Sequence, residues 1–207
     1  WGVPFTNFDG TVHRIGREKA FTYAWDMNNK REIVGYMTNL KDTRFVETQA
    51  VIWRDGKMSE LPGLGGPATS ALAINAGGEV VGSASVSEDP EGPRPAVVWR
   101  DGKIIELPSL GGAYCTAIGI NDDGLIIGRS RAGDREGYFP CQWESDNIAE
   151  LEQPEGWRGM PQDVNGEGLI VGAALIDGVT YSAVQWADRK IERLPALMEA
   201  GHSFAYE

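Results

Sequence analysis

A chain of 207 residues, 42% of them hydrophobic, is long enough for one domain to bury roughly 70% of its unfolded surface without a disulfide or metal staple. A formal charge of −11 excludes a phosphate-tracking surface, because nucleic-acid affinity comes largely from Lys and Arg neutralising phosphates, and it disfavours anionic membranes for the same reason. No apolar run approaches the roughly 18 residues that span a bilayer, and Trp1–Asp9 lacks the basic start and apolar core of a secretion signal.

In chain order, Pro4 to Ile15 reads as two strands around Asp9-Gly10, a two-residue hairpin signal. Four segments then repeat: MNNKREIVG (27–35), INAGGEVVG (74–82), INDDGLIIG (120–128) and VNGEGLIVG (164–172). Their anchors Asn28, Asn75, Asn121 and Asn165 lie 47, 46 and 44 positions apart, and Trp53, Trp99, Trp143 and Trp186 keep the same period. Within one unit, residues 69–108 read as four strands, TSALAIN, EVVGSAS, PAVVW and KIIELP. Asn75–Gly78 and Asp101-Gly102 supply the turns, and Leu-x-x-Leu-Gly-Gly at 61–66 and 107–112 ends the unit. The apolar positions run in short β-branched stretches broken every 8 to 12 residues, which argues against helix.

Fixed self-similarity at about 46 residues is the mark of a propeller or solenoid, in which each unit buries its faces against its neighbours. The expected fold is all-β: a five-bladed β-propeller in a single domain, 1–207, with repeats at 21–66, 67–112, 113–156 and 157–200. The closing blade is shared between 1–20 and 201–207. Ser203 to Glu207 matches the start of an inner strand, with Ala205 aligning to Ala71, and joining the ends removes open sheet edges. One strand of that blade is unaccounted for. The blade has three strands, or residues are missing from the sequence, or another chain completes it, so monomer and assembly both stay open.

Trp-Arg-Asp-Gly (53–56 and 99–102), Leu-Gly-Gly (64–66 and 110–112), Ser-Ala-Leu-Ala-Ile-Asn (70–75) and the segments ending at Gly82, Gly128 and Gly172 resemble the HAF repeats of bacterial probable extracellular repeat proteins. The resemblance covers nearly the whole chain, although Leu-Gly-Gly is absent after Leu151 and Leu194. It implies a secreted β-rich repeat protein, extracellular or in the cell envelope, and no established reaction.

Function is sought where the repeat breaks, because a position that differs between units is not fixed by packing. Two residues before each repeated Asn stand Asp26, Ala73, Gly119 and Asp163, and Glu207 extends the row. If these strands line a central channel, Asp26, Asp163 and Glu207 converge, and mutual repulsion favours protonation of at least one. Such a cluster, with Arg158 beside it, could bind a cation or an amine- or hydroxyl-rich ligand. It could also serve as acid and base in carbohydrate cleavage, as in a glycoside hydrolase or a lyase. The plainer alternative is solvated carboxylates paired with Arg158 and Lys19.

The repeated tryptophans are read as packing between blades and the repeated asparagines as turn-formers. Cys115 and Cys141 are read as buried free thiols. His13 and His202 have no placed third ligand, Asn121–Gly124 lacks the spacing of a calcium loop, and no cofactor fingerprint occurs, so neither metal nor cofactor is expected. Loops 37–48, 84–95, 129–138 and 173–181 differ in length and charge and are expected to share one rim. The expected role is a binding or interaction module for carbohydrate or protein, with an enzyme as the alternative.

Overall fold

The computed structural model of the chain describes residues 5–8, 11–14, 21–39, 47–145 and 147–195. The short apolar runs become strands, and four four-stranded antiparallel sheets follow one another along the chain. The first sheet contains β3 (Phe21–Met27), β4 (Ile33–Asn39), β5 (Glu47–Arg54) and β6 (Lys57–Glu60). The second contains β7 (Thr69–Ile74), β8 (Val80–Ala84), β9 (Ala96–Arg100) and β10 (Lys103–Glu106). The third contains β11 (Gly111–Ile120), β12 (Ile126–Ala132), β13 (Tyr138–Glu144) and β14 (Asn147–Glu150). The fourth contains β15 (Arg158–Val164), β16 (Ile170–Leu175), β17 (Tyr181–Ala187) and β18 (Lys190–Arg193). Ahead of them, β1 (Phe5–Phe8) and β2 (Thr11–Arg14) pair as a separate two-stranded sheet, as the sequence pattern anticipates. The segment 201–207, including Glu207 and His202, lies outside the described residues, as does Lys19.

Each sheet is a meander whose turns follow from local chemistry. Asp55-Gly56 (φ 50° and 73°) and Asp101-Gly102 (φ 52° and 73°) are both left-handed, the type I′ geometry that matches strand twist. At the other end, the Asn75 side-chain oxygen accepts Glu79 N at 2.9 Å; Asn28, Asn121 and Asn165 repeat this bond. The same amides also reach the next sheet: Nδ2 of Asn28, Asn75 and Asn121 donates to the carbonyl of Asn75, Asn121 and Asn165 at 3.0, 3.2 and 2.9 Å. The asparagines therefore form turns and also latch one sheet to the next.

Every first strand carries a β-bulge at one register, leaving Trp25, Leu72, Ile118 and Gln162 unpaired. The bulge explains the repeated glycine opposite it. A Cβ on Gly35, Gly82, Gly128 or Gly172 would fall 1.8 to 2.2 Å from the carbonyl oxygen of Tyr23, Ser70, Thr116 or Met160, which only glycine avoids.

The core lies between consecutive sheets. Val34, Ala50 and Ile52 pack on Ala71, Ile74 and Trp99, and Val81 and Val98 pack on Ala117 and Trp143. All four repeated tryptophans are buried. Three of them also hydrogen-bond backward, Nε1 of Trp99, Trp143 and Trp186 donating to the carbonyl of Pro62, Pro108 and Glu152 of the preceding unit at 2.8, 2.8 and 2.9 Å. Cys115 and Cys141 are buried free thiols.

The two outer faces of the array differ from the inner ones. Met27 is 51% exposed, whereas Ile74, Ile120 and Val164 at the same register are 5%, 9% and 7% exposed. Val171 is 38% exposed against 0% for Val34, Val81 and Ile127. Two buried polar atoms of the first sheet also lack hydrogen-bond partners among the described residues, Trp53 Nε1 and Thr22 Oγ1. The equivalent Thr69 Oγ1 accepts Ala50 N from the preceding sheet at 2.7 Å.

Candidate functional site

The carboxylate row stands immediately after the bulges, on strands that alternate poorly there because one residue is left over. Asp26 and Asp163 share a local role: each accepts the N–H of the following residue, Met27 N at 2.7 Å and Val164 N at 2.8 Å. Asp26 goes further, its second oxygen accepting Ile74 N of the second sheet at 2.9 Å, so that it ties β3 to β7. Asp163 is exposed, and the two carboxylates belong to the first and fourth sheets, with Ala73 and Gly119 holding the row between them. Arg158 is exposed at the opposite end of β15, five residues from Asp163, a separation of roughly 15 Å along a strand, too far for an ion pair. Glu207 lies outside the described residues. Among the described residues no three His, Cys, Asp or Glu side chains are grouped as metal ligands would be.

The residues of β3 just before Asp26 are rich in aromatics, Tyr23 and Trp25 among them. Tyr23 and Tyr36 are cross-strand partners with ring centroids 4.9 Å apart, and Trp25, the bulge residue, lies 6.3 Å from Tyr36. These separations are those of favourable aromatic pairs. Trp25 is 57% and Tyr23 47% exposed, whereas Leu72 and Ile118, at the position of Trp25 in the second and third sheets, are half-buried. Burial pushes the Tyr36 hydroxyl above the ordinary tyrosine range, with Tyr23 adding to it, so Tyr36 stays a neutral donor at physiological pH. The result is a tilted aromatic platform, and the residue after Trp25 in sequence is the carboxylate fixed by two backbone N–H groups, Asp26.

The carboxylate row leads to this place and misses the platform, because attention to charge passes over Trp25. The signal was present: Trp25 stands where the other units have Leu72, Ile118 and Gln162, at the unpaired bulge position.

No protein-family model and no curated protein matches the chain. Solved structures do. The β-propeller domain of the Trilobed protease from Pyrococcus furiosus, described as having an open velcro topology, is similar over 91% of this chain and 58% of that one, with 13% identity and a TM-score of 0.58. TolB from Acinetobacter baumannii is similar over 89% of this chain and 46% of that one, with 10% identity and a TM-score of 0.58. The chain therefore spans about half the length of the structures it matches. At these identities the likeness is one of fold: the four sheets are arranged like the blades of a β-propeller.

Proposed function

We propose that the protein is a binding module that holds a carbohydrate against Tyr23, Trp25 and Tyr36, with Asp26 accepting hydrogen bonds from sugar hydroxyls. The exposed aromatic platform carries this reading: the apolar C–H face of a sugar ring stacks on flat aromatic surface, and a carboxylate accepts from the hydroxyls at its edge. Asp26 is held in place by two backbone N–H groups, so it is preorganised and keeps lone pairs to spare. Titration with neutral oligosaccharides, followed by tryptophan fluorescence and calorimetry, tests the proposal. Trp25→Ala should weaken binding at least tenfold while leaving thermal stability nearly unchanged, since the ring is largely exposed. Saccharide binding that ignores this substitution, or no binding by the wild type, overturns it.

The scaffold we infer for this site is the closed five-bladed ring, its last blade built from β1–β2 and the segment 201–207. Four features of the described residues support it. Met27 and Val171 are exposed only at the two ends of the array, and Thr22 and Trp53 lack the partners that a preceding blade gives to Thr69, Trp99, Trp143 and Trp186. Urea denaturation of Trp53→Phe beside Trp143→Phe is the test. In a closed ring both lose a bonded indole N–H and cost similar amounts, about 1–3 kcal/mol. A Trp53→Phe protein no less stable than wild type means that no preceding blade supplies an acceptor to this indole N–H. The HAF-like pattern supports a location outside the cytoplasm, extracellular or in the cell envelope; recovery from the cytoplasmic fraction of producing cells contradicts that.

A further inference from the structure

The third blade breaks the repeat in a second way. Arg129 and Arg131 project from one face of β12, at positions held by Tyr36 and Thr38, Ser83 and Ser85, and Ala173 and Leu175 in the other blades, so packing does not call for arginine there. The Arg131 guanidinium lies between two rings, 4.9 Å from the Tyr114 centroid and 5.2 Å from that of Tyr138, and Arg129 lies 5.6 Å from Tyr138. Tyr114 is itself anchored, its hydroxyl donating to the Glu91 carbonyl at 2.6 Å. These contacts fix the direction in which the guanidinium groups point.

The arginines have no anion. Among the described residues neither pairs with a carboxylate, whereas Arg135, a few residues on, is gripped by both oxygens of Glu150 at 3.1 and 2.6 Å. Arg129 Nε is buried with no hydrogen-bond partner among the described residues. Two like charges on one face of β12 repel each other, one of them with a buried Nε left unbonded, and an anion that accepts from both guanidinium groups offsets that repulsion.

We propose that Arg129 and Arg131, framed by Tyr114 and Tyr138, bind the carboxylate of a sugar acid, a uronic acid residue within an oligosaccharide. The chain's charge of −11 and the exposed Glu88, Asp89 and Glu91 of the neighbouring loop repel a long polyanion, which leaves a short acidic saccharide as the anion that fits. The half-exposed ring of Tyr138 offers the apolar surface that a pyranose covers. Choosing a sugar acid over an acidic peptide rests on the carbohydrate reading above; the arginine pair does not, and it lies two blades from Trp25.

Calorimetric titration of wild type, Arg129→Gln/Arg131→Gln and Trp25→Ala with trigalacturonate, its carboxyl-reduced neutral form and tetraglutamate tests the site. Trigalacturonate should bind wild type and Trp25→Ala alike, lose at least tenfold in affinity on the double substitution, and exceed the neutral form by at least tenfold. Arg129→Lys/Arg131→Lys, which keeps the charge and loses the bidentate fork, should lose several-fold, and circular dichroism verifies that each variant is folded. No binding of trigalacturonate, or binding that the glutamine variant retains, overturns the proposal. Tetraglutamate binding as tightly as trigalacturonate overturns the sugar assignment. Neutral-sugar binding lost only in Trp25→Ala speaks for the platform alone and leaves this site to be judged on trigalacturonate.

Discussion

Asn75 is hydrogen-bonded to Asn121 across the boundary between the second and third blades, its Nδ2 donating to the carbonyl oxygen at 3.2 Å while its own Oδ1 closes the turn to Glu79 N at 2.9 Å. The next link is the bond from Asn121 Nδ2 to the Asn165 carbonyl. Asn121→Asp keeps the turn acceptor and loses the inter-blade donor, placing a carboxylate oxygen against a carbonyl. It should cost about 1–3 kcal/mol in urea denaturation, and Asn121→Ala, which loses both, should cost more.

The repeated glycines should fall into two classes under substitution. A Cβ on Gly82 would lie 1.9 Å from the Ser70 carbonyl oxygen, so Gly82→Ala forces the bulge apart, with a loss of about 3 kcal/mol or more. Gly102 has φ 73° and open space around it, so Gly102→Ala should cost only the left-handed strain, about 1 kcal/mol. Midpoints of chemical denaturation separate the two.

Acid should act on Glu32. Burial pushes its carboxyl up, but hydrogen bonds from Asn28 and Arg54, with the charges of Arg54 and Lys30, outweigh burial and hold it below the usual carboxylate range. A depressed folded value means stability that is present above the unfolded value and lost as protons bind. The advantage of wild type over Glu32→Gln should therefore shrink as the pH falls below about 4.3. Paired pH–denaturation series measure it.

Alkali should act on Cys141. Burial, then the hydrogen bond with Cys115 and the charges of Cys115 and Glu150, push its thiol far up, so the folded chain keeps a proton that the unfolded chain releases. Stability from this group is complete below the unfolded value and declines as the pH rises above about 8.5, and Cys141→Ala should flatten the decline. Neither thiol should react with a disulfide reagent before unfolding. Nor should the two oxidise to each other, because β12 separates β11 from β13 and sets their Cα atoms about 9–10 Å apart, beyond disulfide reach.

The blades were legible because their determinants are local and repeated. Asp101-Gly102 states its turn, Trp99 and Trp143 state the period, and the strands of 69–108 fall within a residue or two of their expected ends. The latch from one asparagine to the next was not legible, since a residue sufficient to form its own turn gives no sign of a second bond 46 positions away. The site was half legible. Asp26 marks its place by breaking the repeat, but the partners that define it, the Ile74 N–H and the ring of Tyr36, come from neighbouring strands. Arg129 and Arg131 resemble any loop-proximal charges until Tyr114 and Tyr138 are seen around them.

The bulge on each inner strand separates two demands that ordinarily compete within a sheet. A paired residue must match its cross-strand neighbour and its place in the alternation, so its identity is bound to stability. Trp25, Leu72, Ile118 and Gln162 have no such partner, and they range from a large aromatic through aliphatic to amide without shifting the register around them. Each blade thus offers one slot at the same level whose side chain can be exchanged at little folding cost. A set of single-residue replacements at these four positions could re-specify what the surface holds while the architecture stays as it is.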